Sequence, residues 1–378
     1  MGGRTKTAEE NRHIPIDLLT ENILPWIPVL HLFKNFRHVS KELLQLISSP
    51  KFIPIHLKKS HERSKSGSRF LITLPDGVVD YDGGATTKIP YPPGFSGCCS
   101  TILGSCDGLI CLVDKDIKKV SVFNPSTREY QKREAKRFLW LSWFKKVSWF
   151  GRHPCTGEYV LVVGSEIRPQ GGFIVVVYKF SSPDSCFFQQ RGWRGFIFFD
   201  AIGTLLHGVL HWPAYIENRA HHVVFAYDFR RNEIMEIPAP GEFPFTLGVA
   251  GECLFAIFRN ADKVFELWTM REYGVDGSWT KYANIEGFDC NFQLLVPLGF
   301  SSNGNDLIVD ADGMFLSKYS FRDKAITVLE TERLIPEDST RKVVRSVTAT
   351  EAHKFDKLEN CKTFAFADSF VSPHLMYN

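Results

Sequence analysis

From about Phe70 onward the chain repeats one pattern: an apolar run ending in an aromatic, a polar turn, then another apolar run. The aromatics are Phe123, Tyr178, Tyr227, Trp268 and Tyr319, spaced 55, 49, 41 and 51 residues apart. Turns such as Asn124-Pro125-Ser126-Thr127-Arg128, Asp228-Phe229-Arg230-Arg231-Asn232 and Ser320-Phe321-Arg322-Asp323-Lys324 follow three of them. The runs, among them Leu109–Val113, Tyr159–Val163, Val223–Tyr227 and Leu254–Phe258, are rich in β-branched and aromatic residues with a period of two, the pattern of half-buried strands. Asp107-Gly108, Asn303-Gly304 and Asp312-Gly313 suit tight hairpins, because glycine accepts positive φ. A repeat of roughly 40–55 residues is one four-stranded propeller blade. Five markers, with a sixth unit over Arg345–Phe370 closed by early strands near Phe70–Tyr81, predict a mainly β chain with six blades. The rival arrangement is a pair of β-sandwiches.

A different period governs the start of the chain. Leu18, Leu19 and Ile23 fall on one helical face; Leu43, Leu44, Leu46 and Ile47 do so on a later helix that stops before Ser48-Ser49-Pro50. Pro15 and Pro28 read as helix starters, and Pro25 as the end of the preceding helix. About fifty residues of short helices are too few to form a core of their own, so these faces need a partner to cover them.

The composition narrows the function classes. A net charge of +3 over 378 residues is too small to argue for nucleic acid, and the basic run from Lys51 to Arg69, interleaved with Ser and Gly, reads as a solvated linker. No stretch approaches the length of a membrane span, and the polar Met1-Gly2-Gly3-Arg4 start excludes a secretory signal. Nine cysteines without CxxC spacing argue against a disulfide framework and a zinc module. The expectation is a cytoplasmic or nuclear protein with reduced thiols.

No enzyme constellation assembles. The chain has no P-loop, dinucleotide glycine fingerprint, HExxH or GxSxG, and no cofactor is expected. His207 and His211 would pair on a helix, but on a strand broken by Gly208 they stand about 13 Å apart, so no metal site is expected.

Several stretches resemble the F-box-associated domain of plant F-box proteins, including S-locus F-box relatives. They are Gly104-Ser105-Cys106-Asp107-Gly108-Leu109-Ile110-Cys111, Phe123-Asn124-Pro125-Ser126-Thr127-Arg128, Gly208-Val209-Leu210-His211-Trp212, Phe225-Ala226-Tyr227-Asp228, Glu236-Ile237-Pro238, Glu266-Leu267-Trp268-Thr269-Met270-Arg271-Glu272-Tyr273-Gly274-Val275 and Asp368-Ser369-Phe370-Val371-Ser372-Pro373. Ile14-Pro15-Ile16-Asp17-Leu18-Leu19 through Val39-Ser40-Lys41 is similar to an F-box. The resemblance implies a flexible tail (1–12), an F-box-like helical module (13–60), a basic linker (61–69) and a kelch-like β-propeller (70–374). It implies a non-catalytic substrate receptor of an SCF-type ubiquitin ligase, held on a Skp-family adaptor and through it a cullin–RING scaffold, with an unknown protein substrate on the propeller. The docking residues it implies are Pro15, Leu18, Leu19, Ile23, Leu24, Ile27, Pro28, Leu32, Phe36, Val39 and Leu43.

The F-box pattern is not followed throughout. Asn22 reads as an extra residue, another lies between Val29 and Phe36, and Leu43 replaces a tryptophan. One inserted residue rotates a helical face by about 100°, which would interrupt the docking stripe. The alternative is therefore a propeller scaffold whose degenerate F-box no longer engages a ligase; a propeller enzyme or carbohydrate-binding protein is a further rival. Trp140 and Trp143, with Lys145 and Lys146, are candidate substrate contacts, because exposed aromatic and basic side chains anchor interfaces well. Glu166, Arg168 and Asn218 lie in connections, where binding residues concentrate.

Overall fold

Among the described residues the period-two runs form twenty-five strands grouped into six antiparallel sheets. The computed structural model describes residues 14–376 except 65–68, 75–76, 82–85, 96–99, 115–118, 135–144, 167–172, 182–184, 191–195, 199–201, 218, 289–291, 302, 314, 330–362 and 366. Five sheets are consecutive in the chain. Blade II runs from Ser100–Cys106 to Tyr130–Glu134, blade III from Lys145–Arg152 to Ser185–Gln190, and blade IV from Phe196–Phe198 to Glu233–Pro238. Blade V runs from Phe245–Ala250 to Trp279–Ile285 and blade VI from Leu295–Phe300 to Ala325–Val328.

Blade I is composite. The strand Thr363–Ala365 pairs with Phe70–Leu74, placing Phe70 opposite Ala365 and Ile72 opposite Thr363, and Gly77–Tyr81 and Thr86–Pro90 complete the sheet. One late strand and three early strands thus share one sheet, which closes the ring of blades and leaves each blade only short edges. Six separate sheets of this order rule out the pair of sandwiches.

Each marker aromatic lies on the third strand of its blade: Lys119–Phe123, Phe173–Lys179, His221–Asp228, Phe265–Met270 and Phe315–Ser320. Phe123, Tyr227 and Tyr319 are fully buried. A strand covered on both faces by neighbouring blades gains most from a large apolar side chain, which is why this position repeats. The blade interfaces form continuous cores; between blades III and IV, for example, Trp149, Phe173, Trp212 and Phe225 pack together.

The first fifty residues described are helical, as expected: α1 (Ile16–Leu18), α2 (Val29–Lys34), α3 (Lys41–Ile47) and α4 (Phe52–Ser64). Pro15 and Pro28 sit at the N-caps of α1 and α2. Pro25 does not simply end a helix but lies inside a 3₁₀ turn, Leu24–Trp26.

Between α1 and that turn the chain forms a π-helical turn, Leu19–Ile23, in which the Leu24 amide donates to the Leu19 carbonyl five residues back. This wide turn contains Asn22 and absorbs the extra residue locally, as π-bulges do.

The solvated basic linker is also corrected. Helix α4 runs across the expected boundary at residue 60 as far as Ser64, with Phe52, His56 and Ser60 buried. Arg69 is buried as well and pairs with Asp80 and Asp368. Lys59, Arg63 and Arg69 there are ion-paired, whereas Lys51 and Lys58 are exposed to solvent as expected. Likewise, His207 is not on a strand: it turns the hairpin between Thr204–Leu206 and Val209–Ile216 with φ of 53°.

Candidate functional site

The helical module buries part of its apolar surface and leaves part of it exposed. Leu24, Val29, Leu32, Ile47 and Phe52 form a core with Phe370, which comes from the segment following the closing strand. Ile14, Ile16, Leu18, Ile23, Trp26, Val39 and Leu44 remain exposed, Val39 by 68% and Leu18 by 51%. They make up most of the exposed large apolar side chains among the described residues, and such concentration marks an interaction surface.

The docking residues read from the sequence divide accordingly. Pro15, Leu18, Ile23 and Val39 are exposed; Leu19, Ile27, Pro28, Phe36 and Leu43 are half-buried at the margin of the core. Leu24 and Leu32, at 1% and 0% exposure, are corrected from surface contacts to core residues, because the phenyl ring of Phe370 and the α4 side chains already cover them. Trp26 was not among the expected docking residues. Its ring is exposed and held from one side by the Lys59 ammonium, 4.6 Å from the ring centroid. An aromatic directly after Pro25, on the helical period from Ile23, is the sequence signal that would have found it.

Two buried carboxylates fasten the helices to the propeller. Asp368, with no solvent exposure, accepts hydrogen bonds from the Val29 amide at 2.6 Å and the Ser60 hydroxyl at 2.6 Å, and pairs with Arg63 at 2.9 Å and Arg69 at 2.8 Å. Burial pushes its carboxyl up, but Arg69, His56, Arg63 and the Ser60 hydroxyl outweigh that and hold it down at about 2. Asp107, in the first turn of blade II, pairs with His61 of α4 at 3.1 Å and with Arg152 of blade III, and accepts from the Tyr159 hydroxyl at 2.8 Å.

These contacts define which end of the propeller carries the helices. Asp107 and Arg152 lie there, Pro154 lies against Gly208, and His207 reaches Glu252 at 2.7 Å, so the tight first turns of blades II to V share that end. Lys145 and Lys146 begin the strand that finishes at Arg152, and Glu166 ends its neighbour, with Lys145 opposite Ser165. They therefore occupy the other end of blade III, roughly 23 Å along the strand from Arg152. Trp140, Trp143, Arg168 and Asn218 lie outside the described residues.

His211 is buried and structural. Its Nδ1 donates to the Thr204 carbonyl at 3.1 Å, which leaves Nε2 to accept from the Tyr273 hydroxyl at 2.7 Å; burial pulls its pKa down to about 4. Burial pushes the Cys106 thiol up to about 12, so it is no nucleophile at neutral pH. Among the described residues no group of three or more His, Cys, Asp or Glu side chains could hold a metal ion. No helix there is long and apolar enough to cross a membrane.

Comparison with known proteins agrees with this architecture. Residues 95–344, well over half the chain, match the model of the F-box associated beta propeller domain. Three Arabidopsis thaliana proteins are similar in sequence. An F-box/kelch-repeat protein is 26% identical, over 49% of this chain and 53% of the relative, so the chain spans about half its length. F-box protein CPR1 is 22% identical, over 88% of both chains. A further F-box protein is 25% identical, over 72% of this chain and 73% of the relative.

Proposed function

This chain belongs to the F-box associated beta propeller family, and from that premise we propose that it is the substrate-recognition subunit of an SCF-type ubiquitin ligase. The helices dock a Skp-family adaptor through Ile14, Ile16, Leu18, Ile23, Trp26 and Val39, and through it reach a cullin–RING scaffold. The propeller binds a protein substrate at the end away from the helices, where Lys145, Lys146 and Glu166 begin or end strands; Trp140, Trp143, Arg168 and Asn218, outside the described residues, are further candidates from the sequence. The chain itself breaks no bond. Its contribution is to hold a substrate lysine near a charged conjugating enzyme, raising its effective concentration, in the cytoplasm or nucleus.

The observation that carries this reading is the exposed apolar face on helices whose own core is already complete. Burying a large aliphatic side chain is worth about 1.5–3 kcal/mol, so a handful suffices for a stable dock. The test is co-purification with a Skp-family adaptor, comparing the intact chain with Leu18→Asp/Ile23→Asp. Stoichiometric capture lost in a variant that remains folded supports the reading. Absence of capture by the intact chain overturns it and favours the scaffold without a ligase, to which the missing tryptophan at Leu43 points.

A further inference from the structure

The helices that form the docking face are poorly equipped to exist alone. They are 3, 6, 7 and 13 residues long, and isolated helices below about 12–15 residues are marginal in water. Their stability must come from packing, and the packing partner is distant in sequence. Phe370 stacks on Phe33 at 5.8 Å between ring centroids and meets Phe52 at 5.9 Å and His56 at 5.1 Å. Pro28 supplies no side-chain cap to α2, and the Val29 amide is satisfied instead by Asp368, 339 residues away.

The segment that carries Asp368 and Phe370 is itself positioned by the ring. It begins just after the closing strand Thr363–Ala365. The Ser369 hydroxyl donates to the Asp107 carbonyl, and the Asn124 amide donates to the carbonyls of Ser369 and Val371, both at 2.9 Å. Asp107 and Asn124 are turn residues of blade II, so the segment finds its place only when blades I and II are adjacent.

We propose that residues 367–376 are a strap that templates the N-terminal helices, making the docking face conditional on closure of the propeller; this rests on the reading of that face as an adaptor dock. The helices are synthesised before their template, which lies some three hundred residues later in the chain. A chain whose ring is unfinished presents no ordered dock, and docking therefore reports a completed substrate-binding domain. Long-range contacts of this kind form late, because loop closure comes before they do.

The test is hydrogen–deuterium exchange on the full chain, on Asp368→Asn, on Phe370→Ala, and on a chain ended at Phe366, which keeps the closing strand. Adaptor capture is measured on the same samples. The expected result is exchange over residues 29–64 accelerated by about tenfold or more in each variant, with blades III to V changed by less than about twofold, and capture reduced with it. Helices that stay protected in all three variants overturn the proposal. So does loss of protection that is equal over helices and blades in both point variants, since the strap would then be an ordinary part of the core. If the intact chain captures no adaptor, the docking reading fails, and the exchange data alone decide whether the strap templates the helices.

Discussion

The Val29 amide donates to the Asp368 carboxylate at 2.6 Å across 339 residues of sequence. A helix start without a cap of its own is thereby completed from the far end of the propeller, and the negative charge sits where the helix dipole favours it. The same carboxylate is ion-paired with Arg63 and Arg69. Removing it would leave the Val29 amide without this acceptor and take one partner from each guanidinium, Arg69 keeping Asp80 and Arg63 keeping the Pro25 carbonyl. Asp368→Ala is expected to lower the free energy of unfolding by about 3–5 kcal/mol, measured by equilibrium urea unfolding. Asp368→Asn, which retains hydrogen-bonding atoms, is expected to cost less.

Leu32 and Val39 are both apolar residues of the helical module but differ in surroundings: Leu32 is fully buried and Val39 is 68% exposed. Leu32→Ala is expected to destabilise the protein by about 2–5 kcal/mol. Val39→Asp is expected to stay within about 0.5 kcal/mol of the parent and yet to weaken adaptor capture. Unfolding and capture measured on the same two variants check this.

Gly108 turns the first hairpin of blade II at φ of 77°, and a Cβ there would stand 2.6 Å from the Ser369 hydroxyl and 2.8 Å from the Ala367 carbonyl oxygen. Gly108→Ala meets both a disfavoured backbone region and the strap. The expected loss is about 1–3 kcal/mol, read by thermal unfolding, with exchange rising in the helices before the blades.

Two buried histidines set an acid window. Burial holds His211 at about 4 against its ordinary 6.5, and burial likewise lowers His56. In the unfolded chain these rings take up protons as pH falls below 6.5, while in the folded chain they do not. For His211 stability is therefore complete above that value and declines as pH falls toward 4, by at most about 1.4 kcal/mol per pH unit, and His56 acts in the same direction. His211→Gln is expected to flatten the part of this slope that His211 supplies, measured as unfolding midpoints at several pH values. Asp368, held at about 2 against 3.8, contributes stability that is lost only below that window.

The blade architecture was legible because it rests on local rules. Period-two runs, Asp-Gly and Asn-Pro turns and the third-strand aromatics Phe123, Tyr227 and Tyr319 follow from alternation, turn geometry and burial within a few residues of each other. The closing of blade I by a late strand, Thr363–Ala365, was foreshadowed by the sixth unit expected over Arg345–Phe370, of which residues 345–362 lie outside the described residues.

The role of individual residues was less legible. Leu24 and Leu18 are both leucines on a helical stripe, and only the packing of α4 and Phe370 makes one of them core and the other surface. Asn22 read as an interruption, because spacing in a sequence assumes a regular turn, whereas the chain can widen one turn. The basic run near Arg63 and Arg69 read as solvated, because its counter-charge, Asp368, lies some three hundred residues away.

The sequence by itself determined the strands, their turns, the repeat and the presence of amphipathic helices, each of which depends on neighbours in the chain. Only the tertiary structure decided which helical face is free, which charges are paired and what completes the α2 cap. Those depend on contacts between segments that no local pattern encodes, and they exist only when the ring brings residue 368 beside residue 29.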